Sequence, residues 1–534
     1  MKKVSEIAGK IRQYVRNNPS EMIFGGYLFL VLFASVFFVV TSLKFAGGAL
    51  LFALLVFYTV FTIVPKIHKG VLKVSFEPPS DISFEKKRKI FLFSAGIAFI
   101  VLLIDFIGSY PGAFSSDSIS QYKQAITNQY SDWHPVWHTF LFFTLPLKFT
   151  CGWSGSITFF QIIYFSLFIG YMTETIWKYA GKLYVLLSVG LILLIPFTLD
   201  IVMSPQKDVA FAISGGFCML YAVNIYFTDG EWIKKWYRVL LFAFMAASAT
   251  IFRHNGILFT FFLLAALFFY ISKKYWFLLS LTTVVIFLSI KIPFYSILDV
   301  QKPGNRVTEI MGLPLSVLLN VAKESPESID IQTAEFIDEL MEIQPEWKEN
   351  LDMSGFNSVK FKGINSDIIE KNGVEKILKM TLNCFLKNPK EALKALVGVT
   401  IPVYGLEKNC VFVCEIPKND LGIVFSGAEV INFAKKCYVY FISYTPLRCF
   451  FSTIGMTILI ILAFIIFKSD LRKKDDRKRF YLCIPILFYN FGTMLLLSGC
   501  DVRFFYISFL VCPLVVLIMG GKRLSESPEE KSWK

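Results

Sequence analysis

Charge is scarce in this chain. Asp, Glu, Lys and Arg make up 18% of its 534 residues, and histidine occurs four times. Soluble domains carry about 25% charge and 45–50% apolar residues; here 55% are hydrophobic and 17% aromatic. A soluble globular chain is excluded on those grounds. The ten cysteines are scattered. Cys410 and Cys414 have no second pair, which argues against a zinc site. Cys218 and Cys483 fall in apolar runs and read as small hydrophobes. Cys384, Cys410 and Cys414 share one long loop, where a disulfide requires an extracytoplasmic location. Internal repeats and low-complexity tracts are lacking. So is a cleavable signal: the apolar run from Met22 to Thr41 is too long for a signal h-region and reads as an anchor.

What remains is a series of apolar runs, each near the ~20 residues a helix needs to cross a bilayer. They lie at about 22–41, 45–65, 89–108, 156–176, 183–200, 208–227, 237–252, 256–272, 275–297, 449–467, 480–498 and 503–520. Only helices satisfy the backbone within such segments. The expected fold is therefore an all-α polytopic membrane protein with about twelve transmembrane helices. Lys and Arg fix its orientation. With the basic N-terminus inside, Lys66 to Arg88, Lys178 and Lys182, Lys234 to Arg238, Lys273 and Lys274, and Arg472 to Arg479 all fall on the cytoplasmic side, as does Lys522-Arg523. The net charge of +14 is then a topology signal rather than a nucleic-acid footprint. His134 to Phe149 is apolar but short. Counting it as a span would invert every later basic loop, so it reads as a helix lying at the outer surface, after another from about Asp117 to Thr127.

Four regions follow: 1–88, a two-helix segment with a cytoplasmic loop; 89–297, a transmembrane core with a first outer loop at 109–155; 298–448, a mainly helical extracytoplasmic insertion; and 449–534, the last helices and a cytoplasmic tail. The insertion holds 20 acids and 17 bases, a balance unlike the basic remainder. Apolar spacing predicts helices over Ser328 to Met341 and Val374 to Val397, the second broken at Asn388-Pro389.

The same orientation puts four polar clusters on the outer face. They are Asp117 with Trp133-His134-Pro135, Gln206-Lys207-Asp208, Arg253-His254-Asn255-Gly256, and Asp501-Val502-Arg503. Each has a plain structural reading. Asp117 is a helix N-cap, His134 and His138 belong to an interfacial Trp/His belt, Asp208 favours a helix start, and Arg253 and Arg503 pair with Asp208 or Asp501. Each also has a chemical reading. Asp117 accepts a proton from a hydroxyl. Lys207, Arg253 and Arg503 bind phosphate, which departs as a stable anion and needs cations more than an acid. His134 and His138, spaced i,i+4 on one helix face, hold a divalent metal with Asp117, or His134 orients substrate. No cofactor is fixed by these residues, and a divalent metal stays open.

The first-loop Asp, the His-Pro opening the next surface helix and the second Asp opening a later span resemble the GT-C superfamily of membrane glycosyltransferases. That superfamily includes protein O-mannosyltransferases and aminoarabinose transferases. More closely, Tyr-Pro-Gly, Asp-Ser, Trp-His-Pro, Lys-Asp and Arg-His-Asn-Gly in this order are similar to a family of bacterial membrane proteins of unassigned role. The resemblance covers about 90–300 and Arg503. It implies transfer of a sugar from a polyprenyl-phosphate donor to an envelope glycan, lipid or protein acceptor at the outer face of the plasma membrane. It implies Asp117 as catalytic base with Asp208 and His134 beside it, Lys207, Arg253 and Arg503 on the donor phosphate, and His254, Asn255 and Asp501 shaping the acceptor side. Two departures stand out: His134-Pro135-Val136 replaces the common His-Pro-Pro, and no Glu adjoins Asp117. A transporter or flippase of lipid-linked sugars is the competing reading, but it needs ionisable groups near mid-bilayer. A polysaccharide polymerase or ligase is a near variant. An assembly protein that docks through 298–448 leaves the four clusters unexplained.

Overall fold

In the computed structural model, residues 13–14, 16–42, 59–77, 83–302, 306–352, 354–406, 416–445, 447 and 453–521 are described. Cys410, Cys414, most of the expected 45–65 span and the Lys522-Arg523 tail lie outside them. The described residues are helical, with only two isolated β-bridges. Among the described residues five helices are long and apolar enough to cross a membrane: Phe84–Ser109, Ser156–Leu194, Lys207–Phe227, Lys273–Ile297 and Val502–Gly520. Four shorter apolar helices accompany them: Pro19–Leu32, Trp236–Phe252, Gly256–Leu267 and Ile454–Lys468. These features are those of an integral membrane protein.

Lys207–Phe227 is the centre of the bundle, buried from Asp208 to its end. It packs on Trp236–Phe252, Val502–Gly520 and Ser156–Leu194. Phe84–Ser109 and Lys273–Ile297 are peripheral and leave Leu92, Phe93, Ile100, Leu281 and Val285 exposed, as a lipid-facing helix would. The Ser156–Leu194 stretch is two antiparallel arms. Gly181 departs from helical geometry at φ 79°, a region open to glycine. The Gln161 side-chain amide then donates to the carbonyls of Val202 at 2.8 Å and Ser204 at 2.7 Å. A straight helix would hold residues so far apart in sequence about 60 Å apart. The two arms match the expected spans at 156–176 and 183–200, with Lys178 and Lys182 at the turn.

The bundle ends differ. At one, Tyr226 accepts from Arg479, Phe227 stacks on Tyr179, and Arg238 and Lys478 sit over aromatic rings. The basic clusters thus gather where Lys207–Phe227 finishes. The polar clusters gather where it begins.

Two expectations are corrected. The 136–149 stretch is not a single exposed surface helix. It runs as short helices with a π turn at Phe140–Thr144, and Trp137 and Phe142 wedge against Phe244, Phe252, Phe294 and Tyr164. Its residues are apolar on most sides, so burial is favourable, and its end, Lys148 and Phe149, stays exposed. The insertion is also less separate than its acid–base balance suggests. Leu315, Leu318, Phe336, Leu340, Phe356 and Ile377 make a core of their own. Val399 and Val403, at the end of the Pro389–Tyr404 helix, instead join the main core, and Glu429–Ser443 packs on Phe84–Ser109. The break at Asn388-Pro389 is present, between Asp367–Lys387 and Pro389–Tyr404. Cys218, Cys384 and Cys483 are buried free thiols.

Candidate functional site

Asp117 enters the site through a glycine turn and a helix start. Gly112 has φ 124°, and a Cβ there would overlap the Thr158 hydroxyl and crowd the Met203 carbonyl, so a larger residue is excluded. The turn is tied to the Met203 segment by Ala113 N–H to Met203 O at 2.8 Å and by the Ser204 hydroxyl to Ala113 O at 3.0 Å. Ser115, not Asp117, caps the Ser116–Thr127 helix, accepting from the Ser118 N–H. Asp117 sits in the first turn with its side chain free to face Arg503.

The second and fourth clusters meet it there. Lys207 and Asp208 open the Lys207–Phe227 helix, and Asp501 caps the short Val502–Phe505 helix by accepting from Arg503 N–H at 3.1 Å. The Arg503 guanidinium is shared. Its Nε lies 2.6 Å from Asp501 and 3.7 Å from Asp208, and its Nη1 lies 3.0 Å from the Gln206 oxygen and 3.7 Å from Asp117. Arg253 is committed to a different task. It pairs directly with Asp208, donates from Nε to Asn255 at 2.7 Å, and lies 3.9 Å from the centre of the Phe504 ring. Asn255 in turn donates to Thr493 at 2.8 Å.

Lys207 differs from both arginines. It is half-buried, yet its ammonium forms no hydrogen bond or ion pair with any described residue. Asp117 is the most open of the three aspartates, with 37% of its side chain exposed against 24% for Asp501 and 1% for Asp208. Burial alone would raise the Asp117 pKa. The Arg503 guanidinium and then the Lys207 ammonium outweigh it and hold the carboxyl below the ordinary carboxylate range. His134 is buried, and its Nδ1 has no partner. Burial first, then Lys207, push its pKa down to about 4 against the pull of Asp117, so the ring is neutral at pH 7. The site therefore offers an ionised, accessible carboxylate beside an unpaired ammonium and a neutral imidazole.

The metal arrangement is not formed. The helix begins at Val136, so His134 and His138 do not share a helical face. The His138 Nδ1 is 2.7 Å from the Gln121 oxygen, and its ring lies among Phe142, Phe143 and Phe252. Among the described residues no three His, Cys, Asp or Glu side chains gather in a way that could hold an ion. The residues present do not fit a divalent metal. Two expected assignments also shift. Arg253 and Asp208 are spent on each other, and His254 is exposed while its neighbours Arg253 and Asn255 point inward.

Gln206, in the second of the polar clusters, orients Arg503. Several other contributors carried no signal in the sequence. Asp132 accepts from Lys291 at 3.1 Å and from Tyr295 at 2.8 Å, while the Tyr295 oxygen accepts from Val136 N–H at 3.2 Å, which fixes the chain beside His134. From the insertion, Glu309 pairs with Lys360 at 2.8 Å and lies 3.4 Å from the Ser498 hydroxyl, three residues before Asp501. Glu309 acts electrostatically on Lys207, and Lys360 on Asp117. Isolated polar residues in loops and spans give no periodicity to read. Comparison with protein-family models, with curated proteins and with solved structures finds no match to this chain.

Proposed function

We propose that this protein is a membrane glycosyltransferase that moves a sugar from a polyprenyl-phosphate donor to a cell-envelope acceptor, at the outer face of the plasma membrane, in a GT-C-like fold of about twelve spans. The observation that supports it most is the meeting of an open Asp117 carboxylate, an unpaired Lys207 ammonium and the shared Arg503 guanidinium at one end of the bundle. The basic residues at the opposite end support a cytoplasmic location for that end and for both termini.

The reaction follows from the groups present. An acceptor hydroxyl attacks the sugar's anomeric carbon, forming a new C–O bond on the face opposite the phosphate. Asp117 takes the hydroxyl proton. The bond from the anomeric carbon to the phosphate oxygen breaks, and its electrons leave with the polyprenyl phosphate, whose charge grows from one negative to two. Lys207 and Arg503 stabilise that added charge, so no acid is needed to protonate the leaving group. Attack from the opposite face makes the transfer inverting. Asp208 keeps Arg253 and Arg503 in place rather than touching substrate, Asp501 steadies Arg503, and neutral His134 offers a hydrogen bond without adding charge.

The test is to incubate purified protein in lipid with radiolabelled polyprenyl-phosphate sugars and envelope acceptors, then separate product from donor. Acceptor-dependent transfer that Asp117→Asn abolishes, in a protein that still folds and inserts, is the expected result. Full turnover by the variant removes Asp117 from the mechanism.

A further inference from the structure

A second group of charges lies deeper in the bundle, below the site. We propose that Lys435, from the 298–448 insertion, is a positioning residue: its ammonium ties Asp105 to Asp200 and so holds together the two chain segments that carry Asp117 and Lys207-Asp208. The inference rests on the reading of Asp117 and Lys207 as the working groups.

Lys435 Nζ is 2.9 Å from Asp105 and 3.0 Å from Asp200. All three side chains are at least nine-tenths buried. Asp105 is near the end of Phe84–Ser109 and Asp200 is in Pro196–Val202. Each helix leads directly into one arm of the site, the first to Asp117 and the second to Lys207. Above the lysine the arms are joined at Ala113–Met203, at Ser204–Ala113 and, by the Ser118 hydroxyl to Pro205 O at 3.1 Å, beside Asp117 itself. The row of bonds between the arms therefore begins at Lys435 and ends at the site.

The lysine is itself fixed to the first arm. Ser426 N–H donates to Tyr110 O at 3.0 Å and Ala428 N–H to Ile107 O at 2.9 Å, so the insertion satisfies carbonyls that the end of Phe84–Ser109 leaves open. The Glu429–Ser443 helix then runs down beside Phe84–Ser109, with Tyr438 donating to the Leu194 carbonyl. The helix so docked places the Lys435 ammonium within reach of both aspartates.

The charges also make the tie testable. Two carboxylates face one ammonium, and one oxygen of Asp200 has no hydrogen-bond partner. Without Lys435 two buried carboxyls lose the cation that joins them, and the cost of keeping or neutralising their charge loosens the arms. Removing both carboxylates along with the lysine removes that cost.

The experiment is hydrogen–deuterium exchange on the full chain in nanodiscs, with sugar transfer measured on the same samples. It compares the parent, Lys435→Met, Lys435→Arg and the triple variant D105N/D200N/K435M. Lys435→Met is expected to speed exchange in 112–118 and 203–208 on the order of tenfold or more, as a broken buried pair implies. The rest of the bundle keeps parental exchange, and kcat falls more than the donor KM changes. Lys435→Arg returns toward the parent, and the triple variant, which has no unpaired charge but no tie either, recovers only part of the way. Parental exchange in both segments of Lys435→Met, uniform acceleration across the bundle, or a triple variant no better than the single one overturns the proposal. If the segments respond as expected and no protein, the parent included, transfers sugar, the positioning role stands and the proposed reaction fails.

Discussion

Arg253 and Lys207 look alike in the sequence, as cations beside apolar runs at the same end of the bundle, but the structure gives them opposite energetics. Arg253 is 9% exposed and pairs with an Asp208 side chain that is 1% exposed. Its other contacts are Asn255 and the Phe504 ring. Arg253→Met keeps the volume and the contact with Phe504 but leaves Asp208 with Arg503 at 3.7 Å as its nearest cation. Breaking a buried pair from one side costs roughly 3–5 kcal/mol, because the remaining charge stays desolvated. Replacing both partners is far milder, so adding Asp208→Asn should recover most of that loss. Lys207→Met breaks no ion pair and should change stability by less than about 1 kcal/mol. The assay is thermal unfolding of the lipid-embedded protein, followed by thiol reactivity of the buried Cys218 and Cys483. Expected is a large fall in Tm for Arg253→Met, recovery in the double variant, and a Tm near the parent for Lys207→Met. An Arg253→Met protein as stable as the parent, or a double variant no better than the single one, refutes the assignment of Arg253 to structure.

Other outcomes follow from the same geometry. Lys207→Met should lower kcat/KM for the donor about 10- to 150-fold, the worth of a charge-assisted hydrogen bond, read as a fall in kcat together with a raised donor KM. Asp117→Asn should lower kcat about 10²- to 10⁴-fold with folding intact, read by transfer rate alongside size-exclusion profile. His134 and His138 have pKa values pushed down to about 4 and about 3, chiefly by burial. The unfolded chain therefore binds protons first, and stability should fall as pH drops from about 6.5 toward 4 and level off below about 3. His138→Gln should flatten part of that slope in a Tm–pH series; an unchanged slope argues against buried neutral histidines.

The fold and the site were legible to different depths. Asp117, Lys207-Asp208, Arg253 and Asp501-Arg503 could be found because each stands at the end of an apolar run, and a single orientation put all four clusters at one end. The Gly181 reversal was readable for a similar reason, since two apolar stretches flank a lysine pair. What pairs with what was not readable. Arg253 and Arg503 look interchangeable until Asp208 is seen to take one whole and face the other at 3.7 Å. Asp105, Asp200 and Lys435 are lone charges separated by 95 and 235 residues, and nothing local marks them as partners. The i,i+4 spacing of His134 and His138 misled because Pro135 puts the helix start between them. The insertion's acid–base balance described its surface but not its second half, whose apolar faces seat in the bundle.

The central claim is that Asp117 and Lys207 act together on a lipid-linked sugar phosphate. The most direct measurement is single-turnover transfer from a radiolabelled polyprenyl-phosphate sugar by parent, Asp117→Asn and Lys207→Met proteins at saturating and subsaturating donor. The account predicts sugar transfer by the parent, transfer slowed about 10²- to 10⁴-fold at every donor concentration for Asp117→Asn, and only partial recovery at high donor for Lys207→Met, because charge grows on the leaving phosphate. Equal transfer by all three proteins, or tight donor binding that Lys207→Met leaves unchanged, would contradict it.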